Sequence, residues 1–226
     1  MRRRLPITTG RLVALLVGVP ACLGVIGLVA VGFVGDAGKG KYQVHVDLPA
    51  RGRAVDISIS GGNLTVTATH GDRLRLTGTA RCSLIRSTMT RRVTSKRVST
   101  AWRCHFVFGA CSFDLNVGLP AGAPVHFSNG SGDITVTGLT STQVTASGDA
   151  GDITLTFAAV PDLVRVTDQF GDVTLVLPPG PAAYRVNAQA ALGRSSVRVP
   201  TSPSSPHVIS VNDSSGDIVI RTRSSA

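Results

Sequence analysis

One phrase recurs along the second half of this chain: a Gly-Asp step, then residues that alternate between apolar and hydroxyl. It reads Gly132-Asp133-Ile134-Thr135-Val136, Gly151-Asp152-Ile153-Thr154-Leu155, Gly171-Asp172-Val173-Thr174-Leu175 and Gly216-Asp217-Ile218-Val219-Ile220. The first three glycines are 19 and 20 residues apart, and the fourth follows after 45. A degenerate copy, Gly193-Arg194-Ser195-Ser196-Val197-Arg198-Val199, splits that last interval into 22 and 23. A fixed period near 20 residues signals stacked units, because one such unit cannot bury its own apolar face.

Each unit pairs the Gly-Asp strand with an incoming one: Val125-His126-Phe127, Val144-Thr145-Ala146, Val164-Arg165-Val166, Tyr184-Arg185-Val186 and Val208-Ile209-Ser210-Val211. The period is 2, not 3.6, so these are strands with one buried face. The expected fold is all-β, a right-handed β-solenoid in which Ile134 and Val136, Ile153 and Leu155, Val173 and Leu175, Val197 and Val199, and Ile218 and Ile220 form the core. The alternating threonines form an external ladder. A sandwich would give similar strand spacing, but not one turn phrase at matching positions. Upstream, Tyr42–Leu48, Val55–Ile59, Leu64–Thr67 and Arg73–Thr77 also alternate, and a Ser-Gly-Gly-Asn turn separates the second from the third.

The glycine suits a corner that needs positive φ, and the aspartate can accept hydrogen bonds from amides of its own turn. Coils stack about 4.8 Å apart, so Asp133, Asp152 and Asp172 are expected to form a column of like charge. Chain order then places Arg194 next in the column, before Asp217, where it offsets the repulsion. An acid column could take Ca²⁺, but the phrase lacks the glycine density of calcium-binding repeats. Gly132, Asp133, Gly151, Asp152, Gly171, Asp172, Gly216 and Asp217 are therefore read as structural turns, with no metal and no cofactor.

From Leu12 to Val34 there are 23 residues without a charge, preceded by Arg2, Arg3, Arg4 and Arg11. As a helix this segment measures roughly 34 Å, enough to span a membrane, and the arginines place residues 1–11 in the cytoplasm. The reading is a single-pass anchor over 12–34, a linker over 35–41 and an extracellular domain over 42–223. A cleaved signal peptide, or a lipoprotein cleaved before Cys22, is the rival.

The net charge of +10 includes a concentrated run. No acid lies between Asp72 and Asp114, yet nine basic residues do. Residues 80–103 break the strand pattern and read as an inserted loop or irregular hairpin. Within it, Arg91, Arg92, Lys96 and Arg97 are candidates to contact a polyanion: lipid headgroups or a wall polymer. One Trp and no interleaved aromatics argue against nucleic acid. Cys82, Cys104 and Cys111 follow the anchor, so a disulfide is plausible after export. Cys104–Cys111 is preferred for its short separation, with Cys82–Cys104 as the other pairing considered. His45, His70, His105, His126 and His207 are scattered, and no nucleophile or metalloprotease motif is present. The reading is not an enzyme.

Gly-Asp-Ile/Val-x-Val repeats behind a single membrane anchor resemble the bacterial putative-adhesin family, of actinobacterial type. The stretches Trp102-Arg103-Cys104 to Cys111 and Asp114 to Pro120 are also similar to its members. The resemblance covers roughly 42–223 and implies a surface-exposed, non-catalytic β-solenoid with no catalytic residues to carry over. The expected role is a membrane-tethered cell-surface interaction protein that contacts an anionic envelope polymer or a membrane protein. The alternative is an extracytoplasmic sensor or regulatory ectodomain acting through a membrane partner.

Overall fold

A computed structural model describes residues 39–83, 87–94, 96–104, 111–180 and 182–223. The expected cytoplasmic segment, anchor 12–34 and most of the linker lie outside these. The described residues are all β. In chain order the strands are β1 (Lys39–Pro49), β2 (Ala54–Ile59), β3 (Leu64–Thr69), β4 (Arg73–Ser83), β5 (Ser87–Val93), β6 (Arg97–Cys104) and β7 (Cys111–Pro120). Then come β8 (Val125–Asn129), β9 (Ile134–Leu139), β10 (Gln143–Gly148), β11 (Ile153–Phe157), β12 (Leu163–Asp168) and β13 (Val173–Leu177). The last four are β14 (Arg185–Leu192), β15 (Ser195–Arg198), β16 (Val208–Ser215) and β17 (Ile218–Thr222).

Two sheets result, ordered β1-β4-β7-β3-β9-β11-β13-β17-β15 and β14-β16-β12-β10-β8-β2-β6-β5. Each incoming strand lies in the second sheet and its Gly-Asp partner in the first, so every repeat is one coil of a solenoid-like stack. Neighbouring coils pair in parallel and in register: Ile153 lies between Ile134 and Val173, and Leu155 between Val136 and Leu175. Ile134, Val136, Ile153, Leu155, Val173, Leu175, Ile218 and Ile220 are all buried. Each aliphatic side chain so buried contributes about 1.5–3 kcal/mol. Thr135, Thr154 and Thr174 align as the expected outer ladder.

Four expectations need correction. The repeat is not confined to the second half of the chain: Gly62-Asn63 ends the turn between β2 and β3, and that coil pairs directly with β8 and β9. Of the two expectations for 80–103, the described residues there form a hairpin and not a loop, and the hairpin is regular. They finish β4 and make this hairpin, β5 antiparallel to β6, whose inner strand joins β2 in parallel. Val197 is 39% exposed rather than core, while Val199 is only partly buried. The reason is position: β15 ends its sheet, so one side of its coil has no neighbour.

Fourth, spatial order departs from chain order. The β16/β17 coil, last in sequence, sits between the β12/β13 and β14/β15 coils. The 45-residue interval is therefore a detour through the terminal coil and back. At the other end β1, β4 and β7 pair antiparallel and close the stack.

Candidate functional site

The Gly-Asp corner is a continuous hydrogen-bonded ladder. The backbone N–H of Asp133 donates to Asn63 Oδ1 at 3.1 Å, that of Asp152 to Asp133 Oδ1 at 3.0 Å, and that of Asp172 to Asp152 Oδ1 at 2.9 Å. Asp217 N–H then donates to Asp172 Oδ1, and Arg194 N–H to Asp217 Oδ1, both at 2.8 Å. Each carboxylate thus accepts from the next coil, not from its own turn as expected. This also corrects the place of Arg194: the residue after Asp172 is Asp217, and Arg194 terminates the row through its backbone. The amide ladder neutralises part of the crowding, since N–H dipoles point at every carboxylate but contribute no like charge.

The glycines are required by two separate constraints. Gly132 and Gly151 have φ of 97° and 122°, where a Cβ is strained. Gly216 is not among the positive-φ glycines, yet a Cβ there would stand 1.9 Å from the Gly171 carbonyl oxygen. The coils stack too closely at this corner for any side chain.

Three residues before each glycine lies a position that the sequence reading missed: Asn129, Gly148, Asp168 and Asp213, with Asp168 and Asp213 in direct register. Asn129 shows what this inner column wants. Its Nδ2 donates to the carbonyls of Gly62 and Gly132, and its Oδ1 accepts from Ser131 N–H. Asp168 and Asp213 are 1% and 3% exposed. Neither oxygen of Asp168, nor Asp213 Oδ2, has a hydrogen-bond partner. Burial, opposed in part by the nearby Gln169 amide and reinforced by Asp213, Asp152 and Asp149, pushes the Asp168 carboxyl up from 3.8 to about 6. Asp213 is raised too, chiefly by burial. The signal was present in Val164-Arg165-Val166-Thr167-Asp168: strand alternation puts Asp168 in the inward phase with the valines.

The basic run divides in two. Its β4 arginines are tied to acids from distant sequence: Arg73 and Arg75 to Asp47, and Arg81 to Asp114 at 2.6 Å. Arg97 pairs with Asp56 at 3.1 Å. Arg91, Arg92 and Lys96 are exposed, and none of them has an ion-pair partner among the described residues. Arg91 and Arg92 are successive strand residues and so leave opposite faces. They sit on β5, the edge of its sheet, which is basic on both sides. The same charges oppose edge-to-edge pairing.

The structure does not bring the described histidines together. His45, His70 and His126 are exposed, and His207 contacts Asp162 and the Pro161 carbonyl. Among the described residues no group of three or more His, Cys, Asp or Glu is arranged to hold a metal. The side chains of the expected Cys104–Cys111 bridge lie outside those described.

The Toastrack DUF4097 family model matches residues 31–221. A solved structure described as a putative cell adhesion protein from Clostridium sporogenes superposes with a TM-score of 0.64 at 14% identity. The match covers 82% of this chain and 100% of that one, and shows a shared fold. A putative adhesin from Bacteroides fragilis matches with a TM-score of 0.34 at 12% identity, over 81% of this chain and 98% of that one. No curated protein sequence matches.

Proposed function

The chain belongs to the Toastrack DUF4097 family, and on that premise we propose that it is a non-catalytic, adhesin-like protein displayed on the cell envelope. Its 12–34 segment is the membrane anchor, and the β5–β6 hairpin is its contact with an anionic envelope polymer or lipid surface. The observation that carries this reading is the division of the basic run. Arginines on β4 have acidic partners, whereas Arg91, Arg92 and Lys96 at the sheet edge have none among the described residues. Unpaired cations at an exposed edge remain available to external anions, and each is worth about 1 kcal/mol near an anionic surface. Arg97 adds less, because Asp56 holds its guanidinium. The solved structure described as a putative cell adhesion protein, which shares the fold, supports the surface role.

The test is co-sedimentation of the detergent-solubilised chain with cell-wall polymer and with anionic vesicles, across a salt series. Replacing Arg91, Arg92 and Lys96 by Gln is expected to weaken binding about 100-fold at low salt and to flatten its salt dependence. Unchanged binding refutes the contact. Intact mass of the membrane-extracted protein tests the anchor: a product that begins at Cys22 or near Ala37 refutes it.

A further inference from the structure

β4 and β7 run antiparallel from Arg75 opposite Gly118 to Cys82 opposite Cys111, the last rung. Directly opposed residues of such a pair share a face of the sheet, with Cα atoms about 4.5 or 5.5 Å apart according to the type of rung. Both separations lie within the about 4.4–6.8 Å that a disulfide spans. Cys104 is placed differently. It ends β6, opposite Ser87, in the other sheet. Cys104 therefore shares no rung with Cys82 or with Cys111. The closeness of Cys104 and Cys111 in the sequence thus does not translate into register.

We propose that Cys82 and Cys111 form a disulfide that clamps the neck of the basic hairpin, and that Cys104 stays a thiol. The two cysteines bracket the excursion that carries β5 and β6, so the bond ties both roots of Arg91, Arg92 and Lys96 to the antiparallel cap of the stack. The oxidant is a disulfide, either a small-molecule disulfide or an envelope dithiol oxidoreductase. One cysteine thiolate attacks a sulfur of the oxidant and releases its first thiol. The second cysteine thiolate attacks the mixed disulfide and releases the other. Two protein thiols are oxidised and one oxidant disulfide is reduced to two thiols.

The test uses the full chain in detergent, treated with oxidised glutathione, with remaining thiols blocked by N-ethylmaleimide. Trypsin cuts after Arg81, Arg86 and Arg103, and chymotrypsin after Phe106 or Phe108, which separates all three cysteines for mass spectrometry. The expected product links the Cys82 peptide to the Cys111 peptide and carries the alkyl group on Cys104. The same link persists in Cys104→Ser and is absent from Cys82→Ser. Reduction of the bridged protein is expected to lower its Tm by roughly 5–10 °C. A link through Cys104, or alkylation of all three cysteines after oxidation, overturns the pairing. A bridged protein whose Tm reduction leaves unmoved overturns the clamp.

Discussion

Replacing Asp168 by Asn should stabilise the protein at neutral pH and remove part of its pH dependence. The native state raises this carboxyl from 3.8 to about 6, so between those values the native state binds more protons than the unfolded chain. Stability must then fall as pH rises through the window, and the full cost applies above pH 6. A rise from 3.8 to about 6 corresponds to about 3 kcal/mol. Asn carries no charge to desolvate. Asn129, in the same column, also shows which partners an amide finds: the carbonyls of its own turn glycine and of the adjacent coil's. The equivalents for residue 168 are Gly171 and Gly151. Urea unfolding of both proteins from pH 4 to 8 measures the effect. The stability difference between them should grow toward about 3 kcal/mol in favour of Asp168→Asn as pH rises from 4 to 7. A difference that stays constant across the range refutes the reasoning, because it would mean that Asp168 titrates alike in the folded and unfolded states.

The corner supplies further tests. Gly151→Ala combines a φ of 122° with a Cβ 2.5 Å from the Gly132 carbonyl and should cost about 3 kcal/mol or more in denaturant unfolding. Gly52→Ala, also at positive φ but with nothing within 4 Å, should cost only about 1 kcal/mol. Asp152→Ala removes the acceptor for the Asp172 amide and should cost about 1–2 kcal/mol. Asp152→Asn keeps that acceptor, as Asn63 does, and should stay within about 0.5 kcal/mol. A chain that ends at Ser205 loses the intercalated β16/β17 coil and strips a neighbour from both β13 and β15. It should show no cooperative thermal transition by circular dichroism.

Much of the fold is legible in the Gly-Asp phrase because its cause is local. A glycine is needed wherever coils touch at the corner, and Ile or Val is needed at each inward phase. The order of the coils is not local. Nothing in the 45-residue interval distinguishes a coil added at the end from one inserted behind it, so Arg194 is misplaced and Val197 is wrongly assigned to the core. The same limit applies to charge. The run from Arg73 to Arg103 looks uniformly basic until Asp47, Asp56 and Asp114 are brought beside it by sheet pairing. Asp168 was hidden for another reason: an acid near a turn looks like a turn residue, and only its phase relative to Val164 and Val166 marks it as buried.

The claim at the centre of this account is that the repeated acid corner builds the stack while the basic hairpin does the binding. The most direct measurement compares the binding isotherms of two variants on anionic vesicles at low salt. In one, Arg91, Arg92 and Lys96 are replaced by Gln; in the other, Asp133, Asp152 and Asp172 are replaced by Asn. The account predicts that the hairpin variant loses binding about 100-fold, while the corner variant binds at least as well as the unmodified chain. Retained binding by the hairpin variant, or loss of binding in a folded corner variant, would contradict it.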